Sequence, residues 1–218
     1  MVRNPQNTKQ HLWYHPIFND KPVFLKSGPL IEEYLQSLED VVDAALYQHR
    51  RVFAFRFELR CPDTPLIDFD EYLISVMTRF MESFKAQIRH DRMLAKRARR
   101  TAADTVVRYV WACERNHAAH PHWHVAILLN GDAYAAIGQY KLGNDNMYNR
   151  VIKAWASALK MEVEETIGLV HFPAKPEYEL YRDDEASIAD FFHRASYLCK
   201  AATKRSGIGR HSFGCSRR

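Results

Sequence analysis

The amino-acid sequence predicts a single α+β fold, an antiparallel sheet with helices packed on one face. One observation is the strict alternation of apolar and polar residues over 51–60 (RVFAFRFELR), which indicates a strand with one buried and one polar face. Another is the helical spacing of apolar residues in the longer stretches between the strands. Nothing repeats internally, and no Gly/Pro/Ser-rich linker separates a second domain within the 218 residues.

The remaining elements follow in chain order. A first helix is expected to open at Ser27-Gly28-Pro29, because proline is tolerated in a first turn, and its apolar stripe is Leu30, Ile31, Tyr34, Leu35, Leu38, Val41, Val42 and Ala45. Asp68 with Glu71 gives a capping-box pattern for a second, long helix, with the stripe Phe69, Tyr72, Leu73, Val76, Met77, Phe80 and Phe84. Then come strands at about 105–114 and 122–129, a helix over about 145–160 (Tyr148, Val151, Ile152, Trp155 and Leu159 inward), a short strand near 168–172 and a last helix from about Glu185.

The composition excludes several classes of protein. With 47% hydrophobic and 12% aromatic residues, the chain is globular rather than disordered. No apolar run approaches a membrane span, and the N-terminal stretch MVRNPQNTKQ lacks the apolar segment of a secretory signal. The four cysteines are scattered without a CxxC pair, which favours reduced thiols. We therefore expect a cytoplasmic protein with no membrane partner.

Basic residues concentrate in two places, although the net charge is only +5. One cluster runs from Arg89 to Arg100, and the other is the acid-free tail from Lys204 to Arg218. Either could contact phosphates, or be a solvated helix end and a frayed terminus. The tail interleaves Arg210, His211, Phe213, Arg217 and Arg218 with glycines, and a flexible basic segment with an aromatic residue suits a nucleic-acid strand.

The stretch 120–130 (HPHWHVAILLN) places histidines at the start of an apolar strand. Alternate residues of a strand point to the same face, so His122 and His124 project side by side, opposite Trp123 and Val125. The preceding strand reads RYVWACERN, and a hairpin would bring Glu114 opposite His122. Two imidazoles and one carboxylate suit a divalent cation, and three ligands leave positions open for a substrate. Alternatively, these histidines simply meet solvent or a backbone carbonyl.

The last predicted helix carries a tyrosine and a lysine one turn apart. Its apolar stripe is Ile188, Phe191, Phe192, Ala195, Leu198, Cys199 and Ala202, and the opposite stripe is Asp190, His193, Tyr197, Lys200 and Lys204. A phenol beside an ammonium and a metal is suited to nucleophilic attack on phosphorus. A tyrosine hydroxyl is about one part in a thousand ionised at neutral pH, so a metal and a lysine would have to compensate.

The HPHWH block, the preceding acidic residue and the later YLCK together resemble the HUH endonuclease superfamily. Within it the chain looks most like the inovirus replication-protein-like family of prophage YagK/YfjJ-like proteins, from about residue 50 to the end. The resemblance implies an RRM-like central antiparallel sheet with the active site on its open face. It implies Glu114, His122 and His124 as ligands of Mg or Mn, with Zn ranked after them, and Tyr197 as the nucleophile with Lys200 beside it.

The implied activity is single-stranded DNA nicking and strand transfer through a 5′-phosphotyrosine, to initiate rolling-circle replication of a phage, prophage or plasmid. The implied partner is single-stranded or hairpin DNA at an origin, in the cytoplasm of a bacterial host. We expect an N-terminal extension and helix over 1–50, the nuclease domain over 51–204 and a basic tail over 205–218. The residues expected to contact DNA are Lys204, Arg205, Arg210, Arg217 and Arg218.

Two other functions stay open. One is a catalytically silent DNA-binding regulator with the same fold and tail. The other is an Fe(II) oxygenase, because two histidines and a carboxylate also suit that metal. The oxygenase ranks last, since it explains neither the Tyr197–Lys200 stripe nor the basic tail.

Overall fold

The computed structural model describes residues 2–62, 69–114, 121–202 and 212–216, with the backbone alone over 69–74. The helices are α1 (Glu32–Gln48), α2 (Phe69–Ala98), α3 (Met147–Leu159) and α4 (Glu185–Ala195). The strands are β1 (Val2–Asn4), β2 (Asn7–Trp13), β3 (Ile17–Phe18), β4 (Lys21–Pro22), β5 (Leu30–Ile31), β6 (Arg51–Arg60), β7 (Arg108–Glu114), β8 (His122–Asn130), β9 (Val170–His171), β10 (Glu177–Tyr181) and β11 (Phe213–Cys215). Short 3₁₀ turns cover Glu164–Leu169 and Ser196–Cys199.

The main sheet has the strand order β10-β6-β8-β7-β11, and β9 pairs with the far end of β6. All of these pairings are antiparallel. Apart from the short β9, the chain runs β6-α2-β7-β8-α3-β10, which is a βαββαβ unit of four strands and two helices. Its first strand, β6, lies in the sheet between its fourth strand, β10, and its third, β8. The predicted antiparallel sheet with helices packed on it is confirmed.

One face of the sheet carries α2 and α3. The odd-numbered residues of β6 and β8 point to this face, with Phe55, Phe57 and Ile127 fully or almost fully buried among them. The helices contribute the apolar residues that their spacing predicted, Val76, Met77, Phe80 and Phe84 from α2 and Tyr148, Val151, Ile152, Trp155 and Leu159 from α3. The predicted capping residue Asp68 and the side chain of Glu71 lie outside the described part of the chain.

Helices also cover part of the second face, where the sequence suggested an open sheet. The even-numbered residues there are small or apolar over half of the face, namely Val52, Ala54, Val110, Ala112, Ala126 and Leu128, and α1 and α4 pack on them. Charged and imidazole groups occupy only the other half, from Arg56 onward in β6 and from His124 back in β8. The alternation in residues 51–60 therefore marks a face that is apolar at one end and polar at the other.

The first helix begins later than its sequence pattern predicted. Leu30 and Ile31 form β5, which pairs with Trp13 and Leu12 of β2, and α1 starts at Glu32. Pro29 is thus outside the helix, because the backbone groups of the next two residues are used by a neighbouring strand. The buried stripe Leu35, Leu38, Val41, Val42 and Ala45 agrees with the prediction.

The C-terminal region also differs from its prediction. The α-helix ends at Ala195, and the chain continues as the 3₁₀ turn, which leaves Ala202 exposed rather than on an apolar stripe. Residues 213–215, expected in a flexible tail, form the edge strand β11 on β7. There Phe213 stacks on Tyr34 with 4.1 Å between ring centroids.

Among the described residues, no helix is both long enough and apolar enough to span a lipid bilayer.

Candidate metal and tyrosine site

The strand register brings the predicted metal ligands together. Glu114 at the end of β7 lies directly opposite His122 at the start of β8, as the hairpin prediction required. His124 is two residues further along β8, on the same face, and its neighbour on the other side is Glu58 of β6. These residues lie on the same sheet face as α1 and α4, at its polar end, beyond the small residues on which the two helices pack.

The three ligand atoms of Glu114, His122 and His124 all lie within 4.8 Å of one another. Oε2 of Glu114 is 3.4 Å from Nε2 of His124 and 3.7 Å from Nε2 of His122. The side chain of Glu114 is only 1% exposed, so its charge is withdrawn from water. The two imidazole rings meet edge to face, with 4.9 Å between their centroids.

The donors fit a divalent cation. Nε2 of His124 is buried and has no hydrogen-bond partner within the described part of the chain, which is costly for a polar atom unless a ligand completes it. Burial, together with the neighbouring His124, lowers the pKa of His122 below its ordinary value, although Glu114 acts in the opposite direction. A neutral imidazole is the form that binds a metal. Two imidazole nitrogens and one carboxylate oxygen in this arrangement could hold a divalent ion, and nothing in their geometry changes the expected order of Mg or Mn before Zn.

Glu58 belongs to the same cluster, and the sequence reasoning did not select it. Its Oε1 is 3.4 Å from Nδ1 of His124, on the side of the ring away from Glu114. Arg60 contacts the other oxygen at 3.2 Å, and His171 lies 3.8 Å from it. A carboxylate behind a metal-binding imidazole favours the tautomer whose other nitrogen faces the metal. Its signal in the sequence was the charged alternation Arg56-x-Glu58-x-Arg60, whose meaning depended on β6 lying next to β8.

Tyr197, which lies in the 3₁₀ turn, and Lys200, the residue directly after the turn, both reach this cluster. Lys200 Nζ donates a hydrogen bond to the hydroxyl of Tyr197 and lies 2.8 Å from Oε2 of Glu114. The Tyr197 ring packs edge-on against His124, with 5.1 Å between centroids. Lys200 is 5% exposed, so it is not on a solvent-facing stripe as the helical spacing predicted. A 3₁₀ turn has three residues per turn, and this brings side chains at i and i+3 into line.

The N-terminal segment holds the turn in place. The amide of Ala201 donates to the carbonyl of Pro29, and Leu30 forms an isolated antiparallel bridge with Lys200. Ser196 Oγ accepts from the amide of Phe24 at 2.9 Å. The buried position of the lysine therefore depends on residues about 170 positions earlier in the chain.

Of the residues predicted to act at the site, Glu114, His122, His124, Tyr197 and Lys200 converge. Those predicted to contact DNA, Lys204, Arg205, Arg210, Arg217 and Arg218, lie outside the described residues. Their role stays a prediction.

The fold and the cluster define an α+β protein with a candidate metal site next to a tyrosine–lysine pair. The chain belongs to the YagK/YfjJ C-terminal domain family, whose model matches residues 14–216. The match includes α1 and residues 14–31 before it, whereas the resemblance of the sequence motifs began only at about residue 50.

Two relatives from Escherichia coli (strain K12) are similar along most of their length. The uncharacterized protein YfjJ is 30% identical over 201 residues, which is 87% of this chain and 96% of the relative. The uncharacterized protein YagK is 30% identical over 199 residues, 87% of this chain and 94% of the relative. No solved structure matches the chain.

Proposed function

We propose that this protein is a metal-dependent single-stranded DNA endonuclease and strand transferase that initiates rolling-circle replication of a phage, prophage or plasmid. One observation carries the proposal: the ammonium of Lys200 contacts both the hydroxyl of Tyr197 and the carboxylate of Glu114. It thereby links the candidate nucleophile to the candidate metal ligands. The resemblance of HPHWH and YLCK to the HUH endonucleases, and to their inovirus replication-protein-like members, points to the same chemistry.

In this reaction Tyr197 loses its proton to solvent, and its oxygen attacks the phosphorus of a phosphodiester. The bond from phosphorus to the 3′ oxygen breaks, and that oxygen leaves and takes up a proton. The tyrosine remains joined to the 5′ phosphate, and the released 3′ hydroxyl can prime synthesis. The reverse attack by a 3′ hydroxyl rejoins the strand and restores the tyrosine.

The residues of the site have distinct roles in the proposal. Lys200 holds the phenol by a hydrogen bond and supplies positive charge where negative charge develops. Glu114, His122 and His124 would hold a divalent ion, which withdraws charge from the non-bridging phosphate oxygens when bound. The ring of His124 limits the movement of Tyr197, and fixing the direction of attack contributes to the rate.

Cleavage of single strands tests the proposal. A labelled pool of random-sequence oligonucleotides, some with a hairpin, is incubated with the protein and Mn²⁺ or Mg²⁺, with EDTA as the control. We expect metal-dependent cleavage and a denaturation-resistant adduct that mass spectrometry places on the peptide containing Tyr197. Tyr197→Phe should bind DNA without forming the adduct. Tyr109→Phe is the matched control, because Tyr109 lies on the opposite face of the sheet and should form the adduct normally.

The metal requirement is tested separately with His122→Ala combined with His124→Ala. This double variant should lose the response to Mn²⁺ while its thermal unfolding in EDTA stays cooperative. An adduct on another tyrosine, or equal cleavage by the double variant, would contradict the proposed site. Binding of DNA without cleavage under every metal condition would favour the silent regulator. Oxygen consumption with Fe(II) and a co-substrate would favour the oxygenase.

A further inference from the structure

The C-terminal part of α2 extends beyond the core. Ile88 is the last buried residue of this helix, and every residue from 89 to 98 is partly or fully exposed. Seven of the twelve residues from Arg89 to Arg100 are basic: Arg89, His90, Arg92, Lys96, Arg97, Arg99 and Arg100. All of them are exposed except Arg92, which is partly buried and lines the adjoining groove. Beyond Ile88 the helix end buries no side chain fully, so most of its cations are open to a ligand from solvent.

A groove of about 500 Å³ lies between this helix end and the segment that leads to β7. Its lining has four cationic side chains and a single carboxylate, and consists of Arg89, Arg92, Met93, Lys96, Arg97, Asp104 and Thr105. Lys96 forms an ion pair with Asp104. No acidic side chain of the described chain is paired with Arg89 or Arg97. The groove therefore carries net positive charge.

The groove is held in shape by a network around Asp91. This carboxylate contacts Arg92 at 2.6 Å and Arg150 of α3 at 2.8 Å, and it accepts a hydrogen bond from Tyr134. Burial acts to raise the pKa of Asp91, but the hydrogen bonds from Tyr134 and Arg92 outweigh it, so the pKa lies below its ordinary value. Arg92 also donates to the carbonyl of Ala103 on the opposite wall. The cationic surface is thus anchored to the core at one arginine.

The groove and the candidate metal site lie at opposite ends of the sheet. Thr105 is in the wall of the groove, and β7 then runs from Arg108 to Glu114. A strand rises about 3.3 Å per residue, so about 20 Å separates its two ends. A phosphate held in the groove is therefore not the phosphate that Tyr197 would attack.

We propose that this groove, with Arg99 and Arg100 beside it, binds the phosphate backbone of duplex DNA. Duplex DNA carries one charge per about 1.7 Å of its axis, and the cations of a single helix can face several phosphates at once. Sites for single strands combine cations with aromatic rings that stack on bases, but the lining of this groove has no aromatic residue. The surface goes beyond the proposed cleavage of single strands, because it holds a second form of DNA at a separate place.

The salt dependence of duplex binding tests the proposal. Binding of the full chain to a labelled 20-base-pair duplex is measured by fluorescence anisotropy in EDTA, between about 50 and 300 mM KCl. The logarithm of the binding constant falls linearly with the logarithm of the salt concentration, and each lost phosphate contact makes this negative slope shallower by about 0.9. We therefore expect Arg89→Gln combined with Lys96→Gln and Arg97→Gln to make the slope shallower by up to about 2.7. The control changes three exposed lysines elsewhere, Lys9→Gln with Lys141→Gln and Lys160→Gln, and should leave the slope near that of the parent.

Three comparisons decide the outcome. The double variant of His122 and His124 should keep the slope of the parent for duplex DNA, so that the failure of the metal site and the failure of this surface are distinguishable. Equal losses of slope in the groove variant and the lysine control would overturn the proposal, and so would an equal loss for single-stranded DNA. If the triple variant unfolds, the single variant Arg89→Gln decides, with an expected loss of about 0.9 in slope.

Discussion

Replacing Lys200 by methionine tests the buried contact on which the site depends. Lys200 Nζ lies 2.8 Å from Oε2 of Glu114, and the two side chains are 7% and 1% exposed. Methionine keeps much of the side-chain volume but removes the ammonium. Removing one partner from a buried ion pair costs about 3–5 kcal/mol of stability, because the remaining charge stays out of water. At about 2–4 °C per kcal/mol for a chain of this size, the midpoint of thermal unfolding in EDTA should fall by about 6–20 °C.

A divalent metal should reverse much of that loss. The ion would supply positive charge to the Glu114 carboxylate. In the variant, the ammonium of Lys200 would no longer repel the ion. A ligand that binds the folded state alone raises stability by RT ln(1 + [L]/Kd), so tighter binding gives a larger increase in the unfolding midpoint. We therefore expect Mn²⁺ to raise the midpoint of Lys200→Met by more than that of the parent, although the variant should cleave DNA poorly.

The matched control is Lys175→Met. Lys175 forms an ion pair of nearly the same length with Asp190, 2.7 Å, but these side chains are 67% and 50% exposed. Such a surface pair contributes about 0–1 kcal/mol. Unfolding is followed by circular dichroism in EDTA and in Mn²⁺. Equal destabilisation by the two substitutions would refute the reasoning about the buried contact, and an equal response of Lys200→Met and the parent to Mn²⁺ would refute its link to the metal.

Three further predictions concern the fold and the surroundings of the site. The pKa of Asp91 lies below its ordinary value, so the stability that it contributes is complete above pH about 4 and is lost as the pH falls; Asp91→Asn should flatten this decline in urea unfolding measured between pH 2 and 6. A Cβ atom at Gly214 would lie 2.6 Å from the ring of Trp111, so Gly214→Ala should cost about 1–3 kcal/mol in thermal unfolding, whereas Gly168→Ala, which meets nothing within 4 Å, should cost much less. Glu58→Gln should weaken Mn²⁺ binding about tenfold in calorimetry, because it changes the carboxylate behind a metal-binding imidazole; unchanged affinity would remove Glu58 from the site.

Features that depend on neighbouring residues in the chain were predicted well. The alternation in 51–60 gave the bounds of β6, and the parity of His122 and His124 placed both imidazoles on one face. The short connection between two strands also implied the hairpin that sets Glu114 opposite His122. Strand and helix periods are local properties, because the side-chain directions follow from the backbone conformation alone.

Features that depend on distant residues were not predictable in the same way. The helical period extended through Lys200 and gave no sign that the α-helix ends at Ala195. The prediction that the first helix starts at Pro29 was wrong, because Leu30 and Ile31 pair with β2 as a strand. In both places a long-range backbone contact outweighs a local preference of a few tenths of a kcal/mol per residue.

The sequence by itself determined which chemical groups this protein offers: two imidazoles on one strand face, a carboxylate on the adjoining strand, and a tyrosine three residues before a lysine. Only the tertiary structure decided that Lys200 is buried against Glu114, that Glu58 stands behind His124, and that the basic end of α2 lies far from both. The physical reason is that strand order and helix docking are chosen by burial of the two apolar cores as a whole. That choice sets which charges meet, and no local period contains it.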